Sequence, residues 1–375
     1  MKTRLYFSRG DLVIALAPII AVLLALVAGA ILLLILDANP IEAYATMIDG
    51  AFGSQANLFR TLTRATPLLI IAIGICIAFR GGVTNIGAEG QVFIGAITAT
   101  SFSLGLGASF PPALLAPLTL IVGFLAGAFW GAIPGFLKAR FEVNEILSTV
   151  MMNEIAVQIL LFLMAGPMLD PEQIAAGTRV PQTAEVPEAA WLARLAPPSQ
   201  LHVGLFVGLV MAVVIYVLLW RTSIGYRIRA VGQNKDAARY AGMSVSRYVV
   251  LSLVLSGGLA GLAGAVELTG ITHRVVEGFA VGYGFSGIVV ALFGRLHPLG
   301  AIPSAFLFGA LLVGADKMQR SMQVPAATVT ALQGLIVIFV VSSEFFVRRY
   351  TARRKAREVK AATAEIPQPA PEAAT

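Results

Sequence analysis

Polar side chains interrupt the apolar runs of this 375-residue chain at a few places, and those are where a polar solute could be handled. The first is Asn85-Ile86-Gly87-Ala88-Glu89-Gly90-Gln91, which follows Arg80-Gly81-Gly82 and mixes glycines with hydrogen-bonding side chains. The second is Asn144-Glu145 with Asn153-Glu154 downstream; on one helix, Glu145 and Asn153 share roughly one face. The third is Gly282-Tyr283-Gly284-Phe285-Ser286-Gly287. Asn85, Glu89, Gln91, Asn144, Glu145, Asn153, Glu154 and Ser286 are therefore the candidates for lining a polar path. A carboxylate at membrane depth is costly and turns to a cavity or to a partner. For Glu154 both remain open, path lining and structural pairing with a base on a neighbouring helix. No nucleophile elbow, no GxxxxGK[ST] phosphate loop and no defined carboxylate pair accompanies these groups, so the chain reads as a non-enzyme without its own ATP hydrolysis. His202, His273 and His297 lack metal-ligand spacing, and the single Cys76 allows neither an internal disulfide nor a paired-cysteine metal site. Neither metal nor cofactor is expected.

Composition sets the elements that must position these groups. The chain is 57% hydrophobic and only 13% charged, against about 25% charged in soluble domains, so lipid solvates most of it. A span needs about 20 apolar residues. Runs of that kind lie at about 12–36, 58–79, 92–110, 113–137, 146–166, 201–220, 248–266, 298–315 and 325–343, with a shorter one at 283–294. The expectation is an all-α integral membrane protein of about ten transmembrane helices, some of them broken, in a single domain over 1–347. Residues 348–375 form a basic and then disordered tail, whose Arg348 to Lys360 strip suits anionic lipid. The net charge of +7 lies in strips between apolar runs, which speaks for orientation and against nucleic acid. With the amino terminus inside, most Lys and Arg fall on the cytoplasmic side, so both termini are expected there.

The run at 283–294 is too short to span a bilayer unaided, and the glycine-rich stretch Gly81 to Gln91 is its counterpart about 200 residues earlier. Broken helices in corresponding positions of two halves mark the path of many transporters; an ordinary hairpin between two helices is the other reading of Gly81 to Gln91. The connection from Pro167 to Gln200 holds six prolines and no long helix is expected in it, with Trp191 and Leu192 at the lipid surface. Gly257, Gly258, Gly261 and Gly264 allow close helix crossing.

The loop from Arg221 to Tyr248 contains Gly225, Arg227, Arg229, Gly232, Asn234, Ala237, Ala238, Tyr240 and Gly242. Asn234 suits an N-cap, Asp236 a helix amino end and Gly242 a stop, which gives a short helix whose Ala237, Ala238 and Ala241 form a small face for a partner's groove. A plain basic juxtamembrane loop is the alternative. In this loop, Gly225, Arg227, Arg229-Ala230-Val231-Gly232, Asn234, Ala237-Ala238 and Tyr240-Ala241-Gly242 resemble the permease subunits of bacterial ABC importers for simple sugars and nucleosides, in the branched-chain amino acid/ribose-type superfamily. Asn85 to Gln91, Asn144-Glu145-Ile146 with Asn153, and Gly282 to Ile288 continuing to Gly294-Arg295-Leu296-His297-Pro298-Leu299-Gly300 are similar to the nucleoside branch. The resemblance implies a fold like that of the vitamin B12 importer and a place in the bacterial cytoplasmic membrane. It also implies an ATP-binding cassette subunit docked on the 221–248 loop, a second permease subunit, like or unlike, and an extracytoplasmic substrate-binding lipoprotein. The competing function is an ion-coupled secondary transporter, with Glu154 or Glu89 carrying the proton.

Overall fold

A computed structural model describes residues 9–107, 110–178 and 180–325, with isolated positions between 328 and 349. The chain forms two compact units, residues 1–44 with 319–375, and Ala45–Met318. In the first, α1 (Arg9–Ile35) leads to the start of α2 (Pro40–Phe52), and the Tyr44 hydroxyl donates to the Leu26 carbonyl. The apolar run expected at 325–343 and the tail at 348–375 lie almost wholly outside the described residues.

The second unit continues with α3 (Gln55–Arg80), α4 (Ala88–Leu106), α5 (Pro112–Phe141), α6 (Glu145–Ala165) and the short α7 (Pro171–Ala175). Then come α8 (Gly204–Arg221), α9 (Ser223–Gln233), α10 (Lys235–Tyr240), α11 (Val245–Glu267) with a π turn at Leu268–Thr272, α12 (Tyr283–Phe293) and α13 (Ala301–Met322). Among the described residues there is no strand, only isolated bridges. Among the described residues six helices (α3, α5, α6, α8, α11 with its π turn, and α13) are long and apolar enough to cross a membrane, and a bent pair, Leu23–Ile35 with Pro40–Phe52, makes a seventh if it is one span. Helix α2 was hidden in the sequence because Glu42 and Asp49 make it look like a polar connection.

Helix α11 is the centre, packed on α3, α4 and α5. A Cβ on Gly261 would meet the backbone of Gly123 and Gly127, and one on Gly95 would meet that of Gly261, so bare backbone lets the helices cross closely. Two hydroxyls between α4 and α5 match each other: those of Ser103 and Thr119 pair at 2.8 Å and engage the carbonyls of Ala99 and Leu115. The outward residues of α5 (Leu114, Ile121, Leu125, Phe129) and of α8 (Phe206, Val210, Val213, Val217) are apolar, as a lipid face requires.

The connection between α6 and α8 carries only α7 and a single 3₁₀ turn at Glu188–Ala190, in line with its prolines. It is fastened to the end of α11 by amides of Thr183, Val186 and Leu192, which donate to Val275, His273 and Thr269. Trp191 stacks on His273 with ring centroids 3.9 Å apart and donates its indole N–H to the Val186 carbonyl. It is half-buried, with its ring held against the histidine.

Candidate functional site: two interrupted helices meeting at a carboxylate

Helix α3 stops at Arg80, where Gly82 takes φ +72 and turns the chain. Residues 83–86 run without regular structure before α4 begins at Ala88. Three side chains clip this break. Asn85 Nδ2 donates to Gln91 Oε1 at 2.8 Å and to Ser256 Oγ at 2.9 Å, and Asn85 Oδ1 accepts from the Gly87 amide. Asn153 Oδ1 accepts from the Gly90 amide at 2.8 Å while its Nδ2 donates to the Ile86 carbonyl at 3.0 Å. Asn85, Glu89, Gln91 and Asn153 are all buried. The first, third and fourth hold irregular backbone at depth, the condition under which such backbone is tolerated.

Glu89 does something different. Its carboxylate accepts from the Gly282 amide and, at 2.7 Å, from the Gly284 amide, at the first residues of α12. A Cβ on Gly284 would run into the Glu89 backbone, so the start of α12 lies directly on the start of α4. One carboxylate, in the first turn of α4 and over the first turn of α12, complements the positive ends of two interrupted helices. Ser286 sits half-buried in that first turn of α12.

On its other side the start of α12 is held through Tyr283, whose hydroxyl receives Arg64 Nη1 at 2.5 Å and donates to Glu267 Oε1 at 3.4 Å. Glu267 is buried at the last residue of α11, and its Oε2 has no partner. Arg64, Glu267 and Tyr283 were not among the sequence candidates, although single charges inside apolar runs, the signal that picked out Glu154, also mark Arg64 and Glu267.

The remaining candidates stand elsewhere. Asn144 caps α6, accepting from the Ile146 amide at 2.9 Å, and Glu145 pairs with Lys138 at 2.8 Å, closing the turn from α5. Glu154 faces outward at the middle of α6, beside Gln158, in a groove of about 370 Å³ that Ile155, Ile159 and Phe162 complete. It has no partner among the described residues, and this outward face differs from those of α5 and α8 in being polar at mid-helix.

The 221–248 loop forms two helices. The Thr222 hydroxyl accepts from the Gly225 amide and starts α9, with Gly225 tight against the carbonyl of Leu218. Arg227 reaches the Tyr248 hydroxyl at 3.0 Å and Arg229 the Leu219 carbonyl at 2.9 Å. At the far end of α9, Gly232 lies on the carbonyl of Arg80 and on Gly82, where a Cβ would collide with both. Arg80 in turn donates to the carbonyls of Leu296 and Arg295 after α12, and it shares the Trp220 ring with Arg229. Asn234 caps α10, accepting from the Asp236 and Ala237 amides at 3.0 Å each, and Gly242 ends it at φ +76. One expectation needs correction: Ala238 is only 4% exposed. Because α10 packs on α9, one of its alanines must turn inward, and the outward face is Ala237, Tyr240 and Ala241, with Tyr240 95% exposed.

An apolar helical bundle, interrupted helices that meet at its interior and a helical loop fastened to one interruption define a membrane-embedded transport protein. The chain belongs to the family described as branched-chain amino acid transport system / permease component, which it matches over residues 57–341. It is 36% identical over 336 residues to the guanosine ABC transporter permease protein NupP of Bacillus subtilis strain 168, covering 88% of this chain and 93% of that one. It is 35% identical over 342 residues to the glucose ABC transporter permease protein TsgB13 of Haloferax volcanii, covering 88% of each. With the nucleoside ABC transporter permease protein NupB of Lactococcus lactis it shares 32% identity over 354 residues, 93% of this chain and 96% of that one.

Proposed function

We propose that this chain is the permease subunit of an ATP-driven importer for nucleosides or related sugars, which passes its solute unchanged while a separate ATP-binding cassette subunit hydrolyses ATP. The observation that carries the proposal is the chain of contacts from the exposed face of α10, through Gly232 on Arg80 and Gly82, to the start of α4 and the end of α12. A push on the α9–α10 segment is delivered to backbone at the break between α3 and α4 and, through Arg80, just after the end of α12. The cassette subunit docks on Ala237, Tyr240 and Ala241; a second permease, like or unlike, and an extracytoplasmic substrate-binding lipoprotein complete the assembly. In the bacterial cytoplasmic membrane the chain has about ten spans, a fold of the vitamin B12 importer type, and both termini and α9–α10 on the cytoplasmic side. The outward Glu154 and Gln158 meet the second permease and border the solute path, since a charge at mid-span is not left on lipid. The path also passes the start of α12 at Ser286.

The solute is neutral. Interrupted helices commonly present their positive ends to anionic cargo, but Glu89 already fills that position on α12. The guanosine and glucose in the relatives' names fit that chemistry. Proteoliposomes holding the complete assembly, this chain with the second permease, the cassette subunit and the binding lipoprotein, should take up labelled guanosine or glucose only with ATP, and an uncoupler at constant ATP should leave uptake intact. Uptake that follows an ion gradient without the cassette subunit would establish the secondary-transporter alternative instead.

A further inference from the structure

Arg64 is exposed in the first half of α3, although every residue of that helix from Ala65 to Ala78 is buried. Arg60, one turn earlier on the same side, is exposed as well and has no partner among the described residues. Guanidinium groups within a membrane helix turn to water or to protein, not to lipid. Tyr283 engages one Nη atom of the Arg64 fork, whose five N–H donors leave several free. Behind it, Glu267 is reached through the Tyr283 hydroxyl and keeps its other carboxylate oxygen buried without a hydrogen-bond partner among the described residues, the sign of a polar cluster still short of a hydrogen-bonding group. Two carboxylates, Glu267 and Asp316, lie within electrostatic reach of Arg64, and Glu89 occupies the α12 start, so nothing here calls for an anion.

We infer that Arg64 is a contact point for the solute, its free N–H donors receiving hydroxyl oxygens of a neutral sugar ring, with Tyr283 at the start of α12 as the positioning residue that aims the fork and Glu267 at the end of α11 acting through it. The inference rests on the importer function proposed above and adds the site at which hydroxyl groups are read. The guanidinium matters here as a planar fork, and lysine, a point charge, does not replace it.

The test is a ratio, so that abundance cancels and the binding protein, common to all samples, does not alter the comparison. Complete transporter in proteoliposomes is given labelled guanosine against 3′-deoxyguanosine, and glucose against 2-deoxyglucose, for wild type, Arg64→Lys and Glu267→Gln. Sites that hydrogen-bond a hydroxyl discriminate strongly against analogues lacking it, so Arg64→Lys should lower the hydroxyl preference by about tenfold or more for the transported pair. Glu267→Gln should lower it in the same direction by less. A merely structural arginine would reduce both uptakes in proportion; an unchanged ratio in Arg64→Lys, with uptake still driven by ATP, therefore overturns the contact alone. Wild-type uptake that ignores ATP overturns the importer assignment and this site with it.

Discussion

The Glu89 carboxylate accepts two amides that have no helical partner of their own, because the first N–H groups of any helix are orphaned. Glu89→Ala leaves the buried Gly284 donor unpaired, at a cost of about 1–3 kcal/mol, and the half-buried Gly282 donor at a smaller one. The purified protein in detergent should accordingly unfold several degrees lower, as a thermal scan would read, while Glu89→Gln, which keeps one acceptor oxygen, should lose less. Equal unfolding temperatures for wild type and Glu89→Ala would contradict the capping role. His202 gives a second prediction. Burial, with His273 adding a smaller effect, lowers its pKa from the usual 6.5 to about 4, and its Nδ1 accepts from the Gly204 amide at 3.1 Å. Below the unfolded value the unfolded chain binds more protons than the folded one, so stability is full above pH 6.5 and falls as pH drops toward about 4. Hydrogen exchange of the 182–203 segment should therefore accelerate in that window, and His202→Gln should flatten the dependence.

At the scale of elements, α9 and α10 separate two kinds of alanine. Ala237→Arg places a charged side chain on the exposed face and should leave abundance intact while weakening co-purification of the cassette subunit. Ala238→Arg buries it, and an unpaired buried charge destabilises the segment itself, so abundance should fall. Normal ATP-driven uptake by Ala237→Arg would remove α10 from the docking face. The cap at Asn234, the stop at Gly242 and six of the apolar runs, those at 58–79, 113–137, 146–166, 201–220, 248–266 and 298–315, were legible in sequence because each is a local signal, a capping side chain, a positive-φ glycine or a run of spanning length. The inward turn of Ala238 was not, since it depends on where α9 lies. Nor was the meeting of Arg64 with Tyr283, whose partners are separated by 219 positions and whose pairing no periodicity encodes.

For the molecule as a whole, the proposed topology puts Lys235 on the cytoplasmic side. In a Cys76-free chain a cysteine at position 235 should escape an impermeant thiol reagent applied to intact cells and react in inverted vesicles. Labelling from outside would reverse the orientation and with it the docking of any cassette subunit.

The contact between Glu89 and the start of α12 also bears on how the protein is made. At about 1.5 Å per residue, the 11 residues of α12 reach only about half of a roughly 30 Å hydrocarbon core. Such a segment has little means of settling in the bilayer by its own hydrophobicity. Its seat, Glu89 on α4, is synthesised almost 200 positions ahead, so α12 is expected to complete its insertion by finding that carboxylate. Order of assembly is thereby written into the chain, and defects at Glu89 should emerge first as misplaced membrane topology of residues 273–300, before any question of transport arises.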